Sequence, residues 1–216
     1  MTEAMGLVQG LGVTDDWAHL LVRRSTYRAR AGRLGEARAD LALAAQVEPM
    51  QASWTPLLDA GLGEVARRAG DPAEARRCFQ RGLDVGATRP FLPGQLKAML
   101  LAGLAYAALD EGDPDAAAPL LHEAAGTALA SRDMPVVCAV ADAMAVAALA
   151  AGDPARAAVV LGASARLRGA PERGNPDVAA AVAAARAALG DATYEVRYAE
   201  GAALDRDGAL ALLGVG

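Results

Sequence analysis

Lysine is almost missing from this chain: Lys97 is the only one among 216 residues. It sits in Gln95-Leu96-Lys97-Ala98, so the Gly-x-x-x-x-Gly-Lys-Ser/Thr loop that cradles phosphates is excluded. There are two histidines, His19 and His122, far apart in the sequence. Neither has the neighbouring His, Cys or carboxylates that a zinc site of about four ligands requires, so no metal and no cofactor is expected. The two cysteines, Cys78 and Cys138, are too few and too distant for a disulfide framework. They read as reduced, buried small hydrophobes of a cytosolic protein. Aromatic residues make up 4% of the chain, and no window alternates with period two, so no strand is predicted. The longest apolar run, residues 136–151, carries Asp142 and falls short of the roughly 20 residues of a membrane span. It reads as a buried helix. Met1-Thr2-Glu3-Ala4 lacks a basic leader region, so no signal peptide is expected and the predicted location is cytoplasmic.

What remains is rich in Ala, Leu and Arg. Ala and Leu are strong helix formers, and a hydrophobic content of 54% excludes a disordered chain. Residues 1–108 carry 13 basic and 11 acidic residues, whereas residues 109–216 carry 8 and 15. The acidity therefore lies in the second half. A net charge of −5 with no basic stripe makes a poor non-specific nucleic-acid binder.

Four glycines divide the chain at intervals of 38, 42 and 40 residues: Gly32, Gly70, Gly112 and Gly152. Three are followed by Asp-Pro, at Asp71-Pro72, Asp113-Pro114 and Asp153-Pro154. Glycine accepts the left-handed conformation that ends a helix. The Asp carboxylate caps the next helix, and Pro fills its first position without wasting a donor. In Asp71-Pro72-Ala73-Glu74, Glu74 is placed to bond back to the capping residue's N–H. The spacing thus predicts pairs of antiparallel helices joined by very short turns.

Further residues recur around each glycine. A small residue precedes it by seven (Ser25, Gly63, Ala105, Ala145), and an Ala follows by five (Ala37, Ala75, Ala117, Ala157). A bulky apolar residue follows by nine (Leu41, Phe79, Leu121, Leu161) and a small one by twelve (Ala44, Gly82, Ala124, Ser164). Small residues let paired helices approach, and the bulky one fills the space beneath. Later in the chain, Asn175-Pro176 starts a helix that Gly190 ends. Asp191 and Asp205 are expected to cap two short helices stopped by Gly201 and Gly214.

This pattern resembles the tetratricopeptide repeat (TPR), a helix–turn–helix unit of about 34 residues. The second unit is the closest match, with Leu62-Gly63, Ala66, Gly70-Asp71, Ala75, Phe79 and Gly82-Leu83, and Pro49 stands where the first repeat would end. Four to eight extra residues separate the units, as at residues 51–55, 87–94 and 131–135, and are expected to lengthen helices or the loops between pairs. The resemblance implies an all-α, right-handed superhelix. Residues 1–169 would form four pairs (about 14–49, 54–86, 95–129 and 134–168), with 170–216 as C-terminal capping helices.

The chain also looks like the C-terminal TPR region of large actinobacterial ATP-binding transcriptional regulators, of the antibiotic-regulatory (SARP) and LuxR types. The residues that carry this are Gly70-Asp71-Pro72-Ala73-Glu74-Ala75-Arg76, Arg132-Asp133-Met134-Pro135-Val136-Val137 and Gly152-Asp153-Pro154-Ala155-Arg156-Ala157-Ala158. Leu161-Gly162-Ala163, Leu167-Arg168-Gly169-Ala170-Pro171 and Tyr198-Ala199-Glu200-Gly201 add to it. Such proteins carry DNA-binding and NTPase modules that this chain lacks, which implies either an excised sensor domain or a free-standing relative.

In TPR arrays the first helix of each pair lines a concave groove. The resemblance places Thr26, Ala29 and Arg30 there, then Glu64, Arg67 and Arg68, then Tyr106, Leu109 and Asp110, then Val146, Leu149 and Ala150, with His19, Met99 and Asp142 further back. The expected partner-binding residues are Thr26, Arg30, Glu64, Arg67, Arg68, Met99, Tyr106, Asp110 and Asp142. Arginines there suit a carboxylate or phosphate. The competing reading of Arg67 and Arg68 is a solvated helix end near the negative pole of its dipole. Cys78 with His122 could formally make a nucleophile and base, but both fall on second helices, the outer wall of such an array, so no enzyme is expected. The glycines at 61 and 63 fit close helix packing better than a nucleotide loop, and Gly6, Gly10 and Gly12 have no strand–helix context. The expected function is protein or peptide binding, with other domains of a larger regulator among the partners. Self-association as a homodimer and small-molecule inducer sensing are the alternatives.

Overall fold

A computed structural model of the chain describes residues 14–46, 55–88 and 92–214. These residues form eleven helices and no strand. In chain order they are α1 (Thr14–Arg30), α2 (Leu34–Ala44), α3 (Thr55–Arg68), α4 (Pro72–Ala87), α5 (Gly94–Asp110), α6 (Pro114–Ser131), α7 (Met134–Ala150), α8 (Pro154–Arg168), α9 (Pro176–Leu189), α10 (Asp191–Ala202) and α11 (Arg206–Ala211). The chain divides between Leu92 and Pro93 into two compact units, α1–α4 and α5–α11. No helix of the described residues is long and apolar enough to cross a membrane. Pro49 and Gly6, Gly10 and Gly12 lie outside the described residues.

The four recurring glycines make one and the same turn. Their φ values are 75° at Gly32, 80° at Gly70, 79° at Gly112 and 82° at Gly152, the left-handed region in which a side chain would be strained. At each, two backbone bonds close the preceding helix. Gly70 N–H donates to Arg67 O and Asp71 N–H to Ala66 O; Gly112 N–H donates to Leu109 O and Asp113 N–H to Ala108 O. Gly32 with Arg33, and Gly152 with Asp153, repeat the pattern. This is the Schellman arrangement. The same Asp then opens the next helix: the carboxylates of Asp71, Asp113 and Asp153 accept from the N–H groups of Glu74, Ala116 and Arg156, each at 2.9 Å. One residue thus ends one helix and caps the other. At the first turn Arg33 stands in that place and supplies no side-chain cap.

Glu74 departs from the expected capping box. Asp71 N–H is already taken by Ala66 O, so the Glu74 carboxylate turns instead to Arg77 Nε (2.8 Å) and the Cys78 thiol (3.3 Å).

Ion pairs show that the paired helices run antiparallel. Arg24 meets Asp40 while Arg28, four residues on, meets Glu36, four residues back. In the second pair Asp59, in the first half of α3, meets Arg81, in the second half of α4. All sixteen recurring positions are buried, from Ser25 and Ala37 in the first pair to Leu161 and Ser164 in the last. The period therefore records packing. In unit one, Gly61 and Gly63 allow α3 to touch its neighbours: a methyl at Gly63 would lie 2.6 Å from the Phe79 ring, and one at Gly61 would lie 2.8 Å from Leu41. The core there gathers Leu21, Val22, Ala37, Leu41, Ala44 and Val65. In unit two, Ala105, Ala108, Ala117, Leu121 and Ala143 knit α5, α6 and α7.

The extra residues around 131–135 go into helix length. α6 runs 18 residues and α7 runs 17, and only Arg132 and Asp133 join them. Arg132 takes the left-handed conformation (φ 56°) that glycine holds at the other turns.

The C-terminal helices depart from expectation in two places. Gly201 does not stop a helix; it lies inside α10, which runs to Ala202. Asp191 is the first residue of α10 and makes no cap, that place being held by Gly190. Asp205 does cap α11, accepting from Gly208 N–H at 2.7 Å. Gly201 has a different task. A methyl on it would fall far inside van der Waals contact distance of Val159 O and 2.8 Å from Ala163 N, while one on Gly162 would overlap Tyr198 O and stand 2.9 Å from Ala202 N. The two glycines face each other's helix, so α8 and α10 cross backbone to backbone.

Not every helical glycine is of this kind. Gly35 in α2 is exposed, has ordinary φ and has nothing within 4 Å of a methyl. Gly35→Ala is therefore expected to stabilise the protein by up to about 1 kcal/mol, read as a higher urea midpoint with unchanged slope.

Candidate functional site

Four of the expected site residues come together in the first unit. Arg30, the last residue of α1, reaches Glu64 of α3, with Nε 3.4 Å from Oε1. Arg67 Nε stands 3.4 Å from Oε2 of the same carboxylate and Arg68 Nε 3.1 Å from Oε1. Arg67 and Arg68 lie three and four residues beyond Glu64, so helical pitch brings them over it. Arg30 arrives from another helix because α1 and α3 lie side by side. The Arg67 side chain is only 3% exposed, so it is not a solvated helix end; that of Arg30 is 34% exposed and is the most accessible of the group. Thr26, one turn before Arg30, is partly buried and donates to Val22 O at 3.3 Å.

Burial alone would push the Glu64 carboxyl up. The guanidiniums of Arg67, Arg68 and Arg30 overcome it and hold the group below the usual carboxylate range. A carboxyl whose folded pKa is depressed stabilises the protein above its unfolded pKa, and that stabilisation is lost as pH falls through the folded value. Glu64→Gln is accordingly expected to cost about 1–2 kcal/mol at neutral pH. The difference from the parent should close in acid below the usual carboxylate range, as followed by urea unfolding across pH. A deficit that stays constant with pH would remove the charge-based account.

The second unit holds the other four. Met99 of α5 is 43% exposed. Tyr106 packs partly buried against the core of α5, α6 and α7, and Asp110 is exposed at the end of α5. Asp142 was expected to face a groove, and it does not. It is buried at 3% exposure in the middle of α7. Ser164 Oγ donates to it at 2.7 Å, and Arg168 Nη2 grips its other oxygen. Burial lifts the Asp142 carboxyl above its ordinary value, against the pull of Ser164 and Arg168. Asp142 ties α7 to α8 and is a packing residue.

It has two counterparts that the spacing did not reveal. Asp40, 1% exposed, accepts from Arg24 Nε (2.9 Å) and Nη2 (2.5 Å) and from Arg28 Nη1 (2.6 Å). Asp59, 3% exposed, takes Arg81 Nε (2.9 Å) and Nη2 (2.5 Å) on Oδ1, while its buried Oδ2 has no partner. Burial lifts the Asp59 carboxyl too, Arg81 opposing. Three of the four helix pairs are thus clasped by a buried aspartate on one helix and an arginine on the other. The available signal was a lone carboxylate inside an apolar stretch, which must be paired if it is buried.

Cys78 and Cys138 are free and buried. Burial raises both thiols, at Cys78 reinforced by the bond to Glu74, so neither is poised as a thiolate. His122 is exposed on α6. Among the described residues no group of His, Cys, Asp and Glu is arranged to hold a metal ion.

No family model, no curated protein and no solved structure matches this chain.

Proposed function

We propose that this chain is a TPR-like module that binds protein or peptide, acting as the sensory or regulatory part of a transcriptional regulator. One observation carries the binding half of this reading. The first helices of two successive pairs stand side by side, and Arg30 and Glu64, which the TPR resemblance assigns to a groove, touch across a sequence gap of 34. A surface built from non-recurring side chains on adjacent first helices is what an extended ligand reads in a helical array. The recurring residues are consumed by packing, so specificity falls to the side chains between them. The regulatory half rests on the resemblance of the Gly-Asp-Pro-Ala segments and of residues 132–137 to regulator C-terminal regions.

The partly exposed Arg30 guanidinium fits an anionic group on such a ligand. The test is calorimetric titration of the full chain with acidic peptides ending in a free carboxylate, and with the same peptides amidated. The free-acid form should bind, and Arg30→Ala should weaken it about tenfold or more, the worth of one charge-assisted hydrogen bond. Equal binding by the Arg30→Ala protein, or no binding by any peptide, would overturn the assignment of this surface.

A further inference from the structure

We draw no further inference here: the strongest candidate, the side-chain cluster between α3 and α4 in which the unpartnered Asp59 Oδ2 stands beside Arg81 and the Cys78 thiol, is sealed from solvent at that oxygen and at the thiol, so it offers a ligand no approach and rests only on a lone cysteine and a raised carboxyl.

Discussion

Gly162→Ala and Gly201→Ala are each expected to destabilise the second unit by about 3 kcal/mol or more, the upper range for overpacking a filled interface. Judged by helix propensity alone, each change should stabilise by about 1 kcal/mol, because alanine is the better helix former. The sign is therefore diagnostic. A methyl at either position overlaps a backbone carbonyl of the crossing helix, Tyr198 O or Val159 O, and not the movable end of a side chain. Relief requires α8 and α10 to separate along their contact, which strips both backbones of close packing. In differential scanning calorimetry the transition should fall by on the order of 10 °C. Gly35→Ala, with open space around its methyl, should move the other way. If Gly162→Ala or Gly201→Ala matched Gly35→Ala in direction, the backbone-to-backbone crossing would be refuted.

The second large effect is expected at Arg168. Arg168→Ala leaves the Asp142 carboxylate buried with Ser164 as its remaining partner. Losing one member of a buried pair costs about 3–5 kcal/mol. The Arg168 side chain is 24% exposed, so the lower end of that range applies. The pH dependence identifies the cause. Asp142 already titrates above its ordinary value, burial being the first reason, and removing Arg168 removes one of the forces holding it down. A carboxyl with a raised folded pKa binds its proton more tightly folded than unfolded, so stability grows as pH falls through that value. The deficit of Arg168→Ala should shrink on acidification, and adding Asp142→Asn should recover most of it at neutral pH. Urea unfolding of the single and double variants decides this. A deficit that persists in acid and in the double variant would mean that Arg168 acts through its aliphatic stem.

Neither of these two sites is legible in the sequence, although the turns and the recurring core are. The turns were legible because everything that makes them is local: a left-handed glycine, a carboxylate and a proline within three residues. The sixteen buried positions were legible because the same packing problem is solved four times in register. Asp142 was misplaced because an aspartate on a first helix looks the same whether it faces a groove or a partner helix. Its true partner, Arg168, lies 26 residues on, outside any recurring position. Asp40 and Asp59 were hidden for the same reason. Gly201 was read as a helix stop, since a glycine near a helix end and a glycine at a crossing present the same residue. Only the neighbour's backbone tells them apart. The Arg30–Glu64–Arg68 grouping was half legible: helical pitch unites Glu64 with Arg68, but Arg30 joins them only once two helices are side by side.

The doubly used aspartate has a mechanical consequence. At Asp71, Asp113 and Asp153 the N–H is tied backward to the helix just ended and the carboxylate forward to the helix just begun. Pro fixes φ at the next residue, and no residue in between is left to rotate. At these three turns the chain therefore reverses with no uncommitted residue between the helix that ends and the helix that begins.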